Sequence, residues 1–383
     1  MGSYSYVKLG DISEVITKGT TAKKFLNDGV AFIKIESINS RTTLGNKLSY
    51  ISEEEHKTYL KRSILKEGDI LFSIAGALGI VHIVQKEELP ANTNQALSII
   101  RLKQKEKIEY VSWFLETPSI KKMILELKSI GAQPNLSLEQ ISSIKIPMLS
   151  SNKLEQIVVE LLNTIEKRIE TQNKIIKDNK TFKNQLTEKL IYKNSDVIYI
   201  ALSNYCCLKN GYSFKSDCYS ENGEYSIVTI GNVQGERYLN LEGAKTINTL
   251  PNDIQKHQIL QKGDILVSLT GNVGRVSIVN KDNCLLNQRV GLLSFIDSKH
   301  IEYIFQCLSS PRFEMEMTRK GQGAAQLNLG TNDVASYKIP MRKNNADLVA
   351  KLLKKIDEKI ILEEQINNLL KKQKQFLLAN LFI

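Results

Sequence analysis

Much of the equipment of an enzyme is missing from this chain. None of its seven prolines is followed by another, so it lacks the Asn/Asp/Ser-Pro-Pro-aromatic motif that holds a target amine in adenine and cytosine-N4 methylation. No Gly-Lys dipeptide occurs, which removes the P-loop of nucleotide-driven motors. The glycine-rich "SIAGALG" (Ser73–Gly79) reads as two strands meeting at a turn, with no helix behind it to receive a phosphate. The histidines His56, His82, His257 and His300 are scattered and form neither a triad nor a metal constellation. All five cysteines (Cys206, Cys207, Cys218, Cys284, Cys307) fall in the second half with no C-x-x-C pair, which reads as free thiols in a reducing cytoplasm. The longest apolar run, Ile70 to Val84, is broken by Ser73, two glycines and His82, too short and too interrupted for a membrane span. The opening "YVKLGDISEV" shows no secretory signal. No catalytic residue, metal ligand or cofactor site is therefore expected.

What is present is charge and repetition. Lys and Arg outnumber Asp and Glu by 52 to 41, a net charge of +11, which favours a polyanionic partner, nucleic acid ahead of a membrane surface. At 383 residues and 42% hydrophobic, the chain is long and apolar enough for two domains with proper cores.

Glu67–Val84 and Lys262–Val279 are identical at 10 of 18 aligned positions, where chance gives about one. The match continues in "NQALSIIRL" (Asn94–Leu102) against "NQRVGLLSF" (Asn287–Phe295), and in "QPNLSLEQISSIKIPM" (Gln133–Met148) against "QLNLGTNDVASYKIPM" (Gln326–Met341). Each copy runs in the same order: β-branched strand-like segments, a helix interrupted early by proline (108–129 and 301–320), a polar amide segment, a strand ending Ile-Pro-Met, and a long helix. The expected fold is α+β. Two homologous domains, 1–150 and 194–343, are joined by two long helices, 151–193 and 344–383, that pair as an antiparallel coiled coil with pseudo-two-fold symmetry.

Those helices carry one apolar stripe each: Leu154, Val158, Leu161, Ile165, Ile169, Ile176, Leu186 and Leu190, then Leu348, Leu352, Ile356, Ile360, Ile366, Leu370, Leu377 and Leu381. A narrow stripe cannot bury itself, so the helices either pair with each other or pack separately on their own domains. Further apolar positions (Val159, Leu162, Leu353, Leu369) leave a second face for other subunits.

The residues both copies share are Gly68-Asp69, Gly76, Gly79, Asn94-Gln95, Gln133 and Asn135, answered by Gly263-Asp264, Gly271, Gly274, Asn287-Gln288, Gln326 and Asn328. Gly-Asp reads as a turn entering a strand, the glycine supplying positive φ, and Gly-x-x-Gly as a hairpin turn. Amides can read adenine bidentately or bond sugar-phosphate oxygens; equally, they can tie off loop backbones. Divergence is greatest over 18–41 and 209–237 and inside the hairpin turns. There Lys18, Thr20, Lys23, Lys24, Lys34 and Arg41, then Lys209, Asn210, Tyr212, Lys215, Asn232, Arg237, Asn272, Arg275 and Arg289, are candidate DNA contacts. Two related domains that differ mainly there would read two different sequences. A standalone DNA-binding protein and a coiled-coil scaffold are the competing readings.

Taken in order and twice over, "GDILFSIAGALGIVHIV", "NTNQALSI", "AQPNLSLEQISSIKIPM" and the "LEQI" at Leu154–Ile157 resemble the specificity subunit of type I restriction–modification systems. The second long helix departs from that pattern, opening "NADLV", and no tryptophan stands near the start of the first domain. The resemblance implies two target recognition domains, each reading one half of a split site in double-stranded DNA. The helices would set the unread gap and dock two methyltransferase subunits, with restriction/translocase subunits joining the larger complex. S-adenosylmethionine and ATP would sit on those partners and none on this chain, a non-catalytic reader in the cytoplasm.

Overall fold

The computed structural model describes residues 5–128, 135–321 and 327–382. Its contacts divide into two units: Met1–Gln172 with Ile366–Ile383, and Asn173–Gln365. Each unit holds one lobe together with a stretch of both long helices.

In unit 1 the lobe runs β1 (Ser5–Lys8), α1 (Leu9–Ile12), β2 (Ser13–Lys18), β3 (Val30–Ile33), β4 (Ser49–Ile51), α2 (Glu53–Lys57), β5 (Ile70–Ser73), β6 (Val81–Ile83), β7 (Ala91–Thr93) and β8 (Leu97–Leu102). Then come α3 (Ile108–Leu115), α4 (Pro118–Lys128), α5 (Leu138–Ser142), β9 (Lys145–Met148) and the long α6 (Asn152–Thr187). A four-stranded sheet of order β2-β8-β5-β6 is antiparallel throughout. A three-stranded sheet, β4-β3-β7, carries a parallel β3–β7 pair, and β1 pairs with β9. Proline opens α4 at its first position, where the missing N–H costs nothing. The helix expected over 108–129 with an early interruption at proline is thus two helices, α3 and α4.

Unit 2 repeats the plan: β10 (Val197–Ala201), β11 (Cys206–Asn210), β12 (Tyr225–Val228), β13 (Lys245–Ile247), β14 (Ile259–Leu260), β15 (Ile265–Ser268), β16 (Val276–Ile278), β17 (Cys284–Leu286) and β18 (Val290–Phe295). They are followed by α7 (Ile301–Leu308), α8 (Pro311–Gly321), α9 (Thr331–Ala335), β19 (Lys338–Arg342) and the long α10 (Ala346–Asn380). Its sheet order β11-β18-β15-β16 matches β2-β8-β5-β6 strand for strand. The fold is α+β with two repeated lobes.

The glycines do what their spacing implies. Gly68 and Gly263 have φ of +83° and +97° at the turns entering β5 and β15. The β5–β6 and β15–β16 hairpins turn on Gly76/Gly79 and Gly271/Gly274, all at positive φ. A serine closes each hairpin: Ser73 Oγ donates to the Ala77 carbonyl and accepts the Ile80 N–H, as Ser268 Oγ does with Asn272 and Arg275.

The long helices depart from the expected stripe. In unit 1, Val158 and Leu162 bury against the lobe core with Trp113, Leu378 and Phe382, and Ile165, Ile169 and Leu370 form a further helix–helix cluster, with Leu377 packed against both. Glu166 pairs with Lys374 at 2.7 Å, while the earlier Val158 and Leu162 share a cluster with the later Leu378 and Phe382, so residue numbers rise on one helix as they fall on the other, an antiparallel pairing. In unit 2, Lys183–Asp357 at 2.6 Å and Lys180–Glu364 at 2.8 Å show the same sense. Val349, Ala350 and Leu353 belong to that lobe's core, with Leu186, Leu190 and Ile356 packed against it. Ile360 is buried and Ile176 half-buried.

Leu154, Leu161, Leu348, Leu352 and Ile366, expected in the seam, are instead 43–66% exposed. The seven-residue steps used to draw the stripe drift around a 3.6-residue helix. The start of each long helix, moreover, packs on its own lobe, so both arrangements left open by the sequence occur on different stretches of one helix.

The last turns are equivalent as well. Leu377, Leu378, Leu381 and Phe382 enter the unit 1 core, where unit 2 uses Leu186, Leu190, Ile191 and Tyr192. Among the described residues no helix is long and apolar enough to cross a membrane, and no group of three or more His, Cys, Asp or Glu is placed to hold a metal ion.

Candidate nucleic-acid interface

In both lobes one end of the main sheet gathers the shared amides. The Ile74 N–H donates to the Ala96 carbonyl, and the Ile74 carbonyl accepts from Leu136. Leu269 does the same with Arg289 and Leu329. One residue beyond the central strand thus stitches the Asn-Gln turn on one side and the Asn-Leu segment on the other. A third segment joins them through a close approach. The Gly19 N–H donates to the Leu97 carbonyl, and a Cβ on Gly19 would stand 2.1 Å from the Asn94 carbonyl oxygen. On Gly211 it would stand 2.2 Å from that of Asn287. Only glycine lets the end of β2 or β11 pass there.

Lys18-Gly19-Thr20 and Asn210-Gly211-Tyr212 therefore occupy equivalent places. In unit 1 an open cleft of about 480 Å³ results, lined by Lys18, Ile74, Ala75, Gln95, Asn135 and Leu136. Lys18, Gln95 and Asn135 are exposed there. In unit 2 the matching places hold Asn210, Gln288, Arg289 and Asn328, all exposed. The scaffold is one; the groups it presents are a lysine and amides in one lobe, amides and an arginine in the other.

Asn94 and Asn287 are half-buried, and their side-chain oxygens accept the N–H of Ala96 at 3.1 Å and of Arg289 at 3.3 Å. They tie the turn and leave Gln95 and Gln288 pointing out. Gln133 and Gln326 lie outside the described residues.

Of the divergent loops, Lys23, Lys24 and Lys215 are exposed, and the Lys23 ammonium lies 4.5 Å from the Tyr59 ring centroid. Lys209 is half-buried on β11. Half-buried Thr20 accepts from exposed Arg62, a basic neighbour that sequence reasoning missed because it lies 42 positions on. Lys34 is pinned over Phe25 at 3.9 Å. The Tyr212 hydroxyl donates to Asp253 at 2.8 Å, and that bond to a carboxylate holds the phenol above its usual pKa. On the second hairpin Asn272 is exposed, while Arg275 pairs with Glu314 at 3.0 Å.

Three candidates do not belong to this surface. Arg41 and Arg237 are buried, their side chains only 5% exposed, each drawn inward by carboxylates of the lobe's own helix. Asn232 is buried too, its amide closing a loop on Thr229 and the Asn240 carbonyl. A basic residue in a divergent loop resembles a ligand contact in sequence, but the acceptors that claim Arg41 and Arg237 lie 65 to 122 positions away, whereas those that hold Asn232 are local.

Known proteins resemble this chain in sequence and in fold. Residues 1–178 and 192–372 match the family model described as the type I restriction modification DNA specificity domain. The Escherichia coli type I restriction enzyme EcoBI specificity subunit is 28% identical over 188 residues, 45% of this chain and 39% of that protein. The Haemophilus influenzae HindI specificity subunit is 24% identical over 202 residues, 51% of this chain and 40% of that protein. The match thus spans about two-fifths of the length of these relatives. In fold, the type I restriction–modification S subunit from M. genitalium superposes with a TM-score of 0.58 at 15% identity, covering 100% of this chain and 96% of that one. By the match of both its halves to that model, the chain belongs to the type I restriction modification DNA specificity domain family.

Proposed function

We propose that this chain is the non-catalytic DNA-reading subunit of a type I restriction–modification enzyme, each lobe reading one half of a split site in double-stranded DNA. The observation that carries this reading is the sheet end just described, where one backbone scaffold presents Lys18, Gln95 and Asn135 in one lobe and Asn210, Gln288, Arg289 and Asn328 in the other. Exposed amides and cations on a rigid element are what base edges and phosphates require, and exchanging them on a constant scaffold changes the sequence read. The net charge of +11 supplies the non-specific attraction.

The long helices set the gap between half-sites. Their exposed Leu154, Ile157 and Leu161, and Leu348 and Leu352, offer apolar surface to two methyltransferase subunits. Restriction/translocase subunits complete the assembly. S-adenosylmethionine and ATP act on those partners, and the assembly works in the cytoplasm.

The test is selection of duplexes from a random library by the full chain with its methyltransferase partners. The reading expects a motif in two parts with a fixed unread gap. A contiguous motif, or no motif, refutes it.

A further inference from the structure

The arginines Arg41 and Arg237 hold equivalent places in loops that otherwise diverge. Each is stitched by its carbonyl to the sheet edge, accepting the Ile83 N–H or the Ile278 N–H at 2.8 Å. The Arg41 guanidinium donates to Glu109 at 3.2 Å and Ser112 at 3.0 Å on α3, and to Asn163 on α6 at 2.6 Å. It stacks 3.9 Å over Trp113, whose indole N–H donates to the same Asn163 oxygen at 2.9 Å. Lys374 of α10 closes the group, pairing with Glu116 at 3.1 Å and Glu166 at 2.7 Å.

Unit 2 assembles the same cast from different residues. Arg237 donates to Glu302 on α7 at 2.6 and 2.8 Å and to Asp357 on α10 at 3.2 Å. Gln306 stands where Trp113 does and donates to Asp357 at 2.7 Å, and Lys183 of α6 reaches Asp357 at 2.6 Å. In each unit, four elements meet at one buried arginine: the sheet-edge loop, the short helix, the lobe's own long helix and the antiparallel one.

Buried charges add little stability, because desolvation offsets most of their attraction. A planar guanidinium held by hydrogen bonds from several elements has a defined position and orientation relative to each of them. We propose that these two knots set the pose of each lobe on its helix pair, making Arg41 and Arg237 positioning residues for the spacing between half-sites although they touch no DNA. The proposal rests on the DNA-reading function above.

The experiment repeats the library selection with full chains carrying Arg41→Met, Asn163→Ala or Asp357→Asn. Asn163→Ala cuts the tie to α6 while leaving Arg41–Glu109 intact inside the lobe, so it serves if Arg41→Met does not fold. Each folded variant should recover the wild-type bases in both half-sites. The share of selected duplexes at the wild-type gap should fall several-fold, spreading to gaps one base pair shorter and longer. A folded Asn163→Ala chain with the wild-type gap distribution overturns the proposal, as does loss of half-site bases with the gap unchanged. If the wild-type chain itself selects no split motif, the DNA-reading function has failed first and the proposal falls with it.

Discussion

Replacing Phe382 by alanine should loosen unit 1 and leave unit 2 untouched. The ring is 7% exposed and packs 5.1 Å from the Tyr110 ring and 5.7 Å from that of Phe114. Core Phe→Ala substitutions cost about 3–5 kcal/mol, and a residue just past a helix end can fray to relieve part of the cavity, which favours about 3 kcal/mol. At about 1.4 kcal/mol per tenfold, local opening becomes roughly a hundred times more frequent. Native-state hydrogen exchange reads this directly. Amides of α3 and of the last turns of α10 should lose about two decades of protection, while those of α7 keep theirs. Ile191→Ala is the mirror experiment, since Ile191 is fully buried in the equivalent place of unit 2 and its loss should deprotect α7 alone. If either substitution deprotected both units equally, or Phe382→Ala left α3 unchanged, the assignment of the two helix ends to separate cores would be wrong.

Lys18→Ala should weaken DNA binding across all sequences and reduce the slope of log K against log salt by about 0.9, measured by titration at several ionic strengths. Gln95→Ala and Gln288→Ala should each cost about 1–3 kcal/mol of discrimination, and only in their own half-site. Asp69 is bonded bidentately to Arg101 at 2.7 Å, so Asp69→Asn should destabilise unit 1 by about 1.5–3 kcal/mol. Asp264 takes the equivalent place without an arginine, and burial raises its pKa although the Gln261 N–H opposes the shift. Its contribution to stability is therefore complete at low pH and is lost as pH climbs through the raised value. Asp264→Asn, neutral at every pH, should match the wild type in acid, exceed it in stability at pH 7 and remove that dependence in denaturant titrations at the two pH values. Alkylation of the native chain should modify Cys207 and Cys218 and spare Cys206, Cys284 and Cys307, with burial pushing the Cys206 thiol up to about 12; all five should react in denaturant.

The features legible in the sequence were those held by local chemistry. Gly68 and Gly263 enter their strands at positive φ because the turn demands it, wherever the strand ends up. The Asn-Gln pair proved to be two jobs in adjacent residues: Asn94 and Asn287 hold the turn, and Gln95 and Gln288 face out. The sequence left both roles open for each amide; choosing between them needed the neighbouring segments that Ile74 and Leu269 bring in.

The duplication was read by comparing two stretches of the chain, and the α+β order of each copy and the identity of the hairpins depend on residues within a few positions of one another, so all three were determined by the chain alone. Tertiary structure decided which apolar residues of the long helices are covered, because a helix face is claimed by whatever packs on it: lobe at the start, helix farther on. It also decided that Arg41 and Arg237 turn inward. A guanidinium goes to the acceptors that surround it once folded, and Glu109, Asn163, Glu302 and Asp357 lie 65 to 122 positions away along the chain.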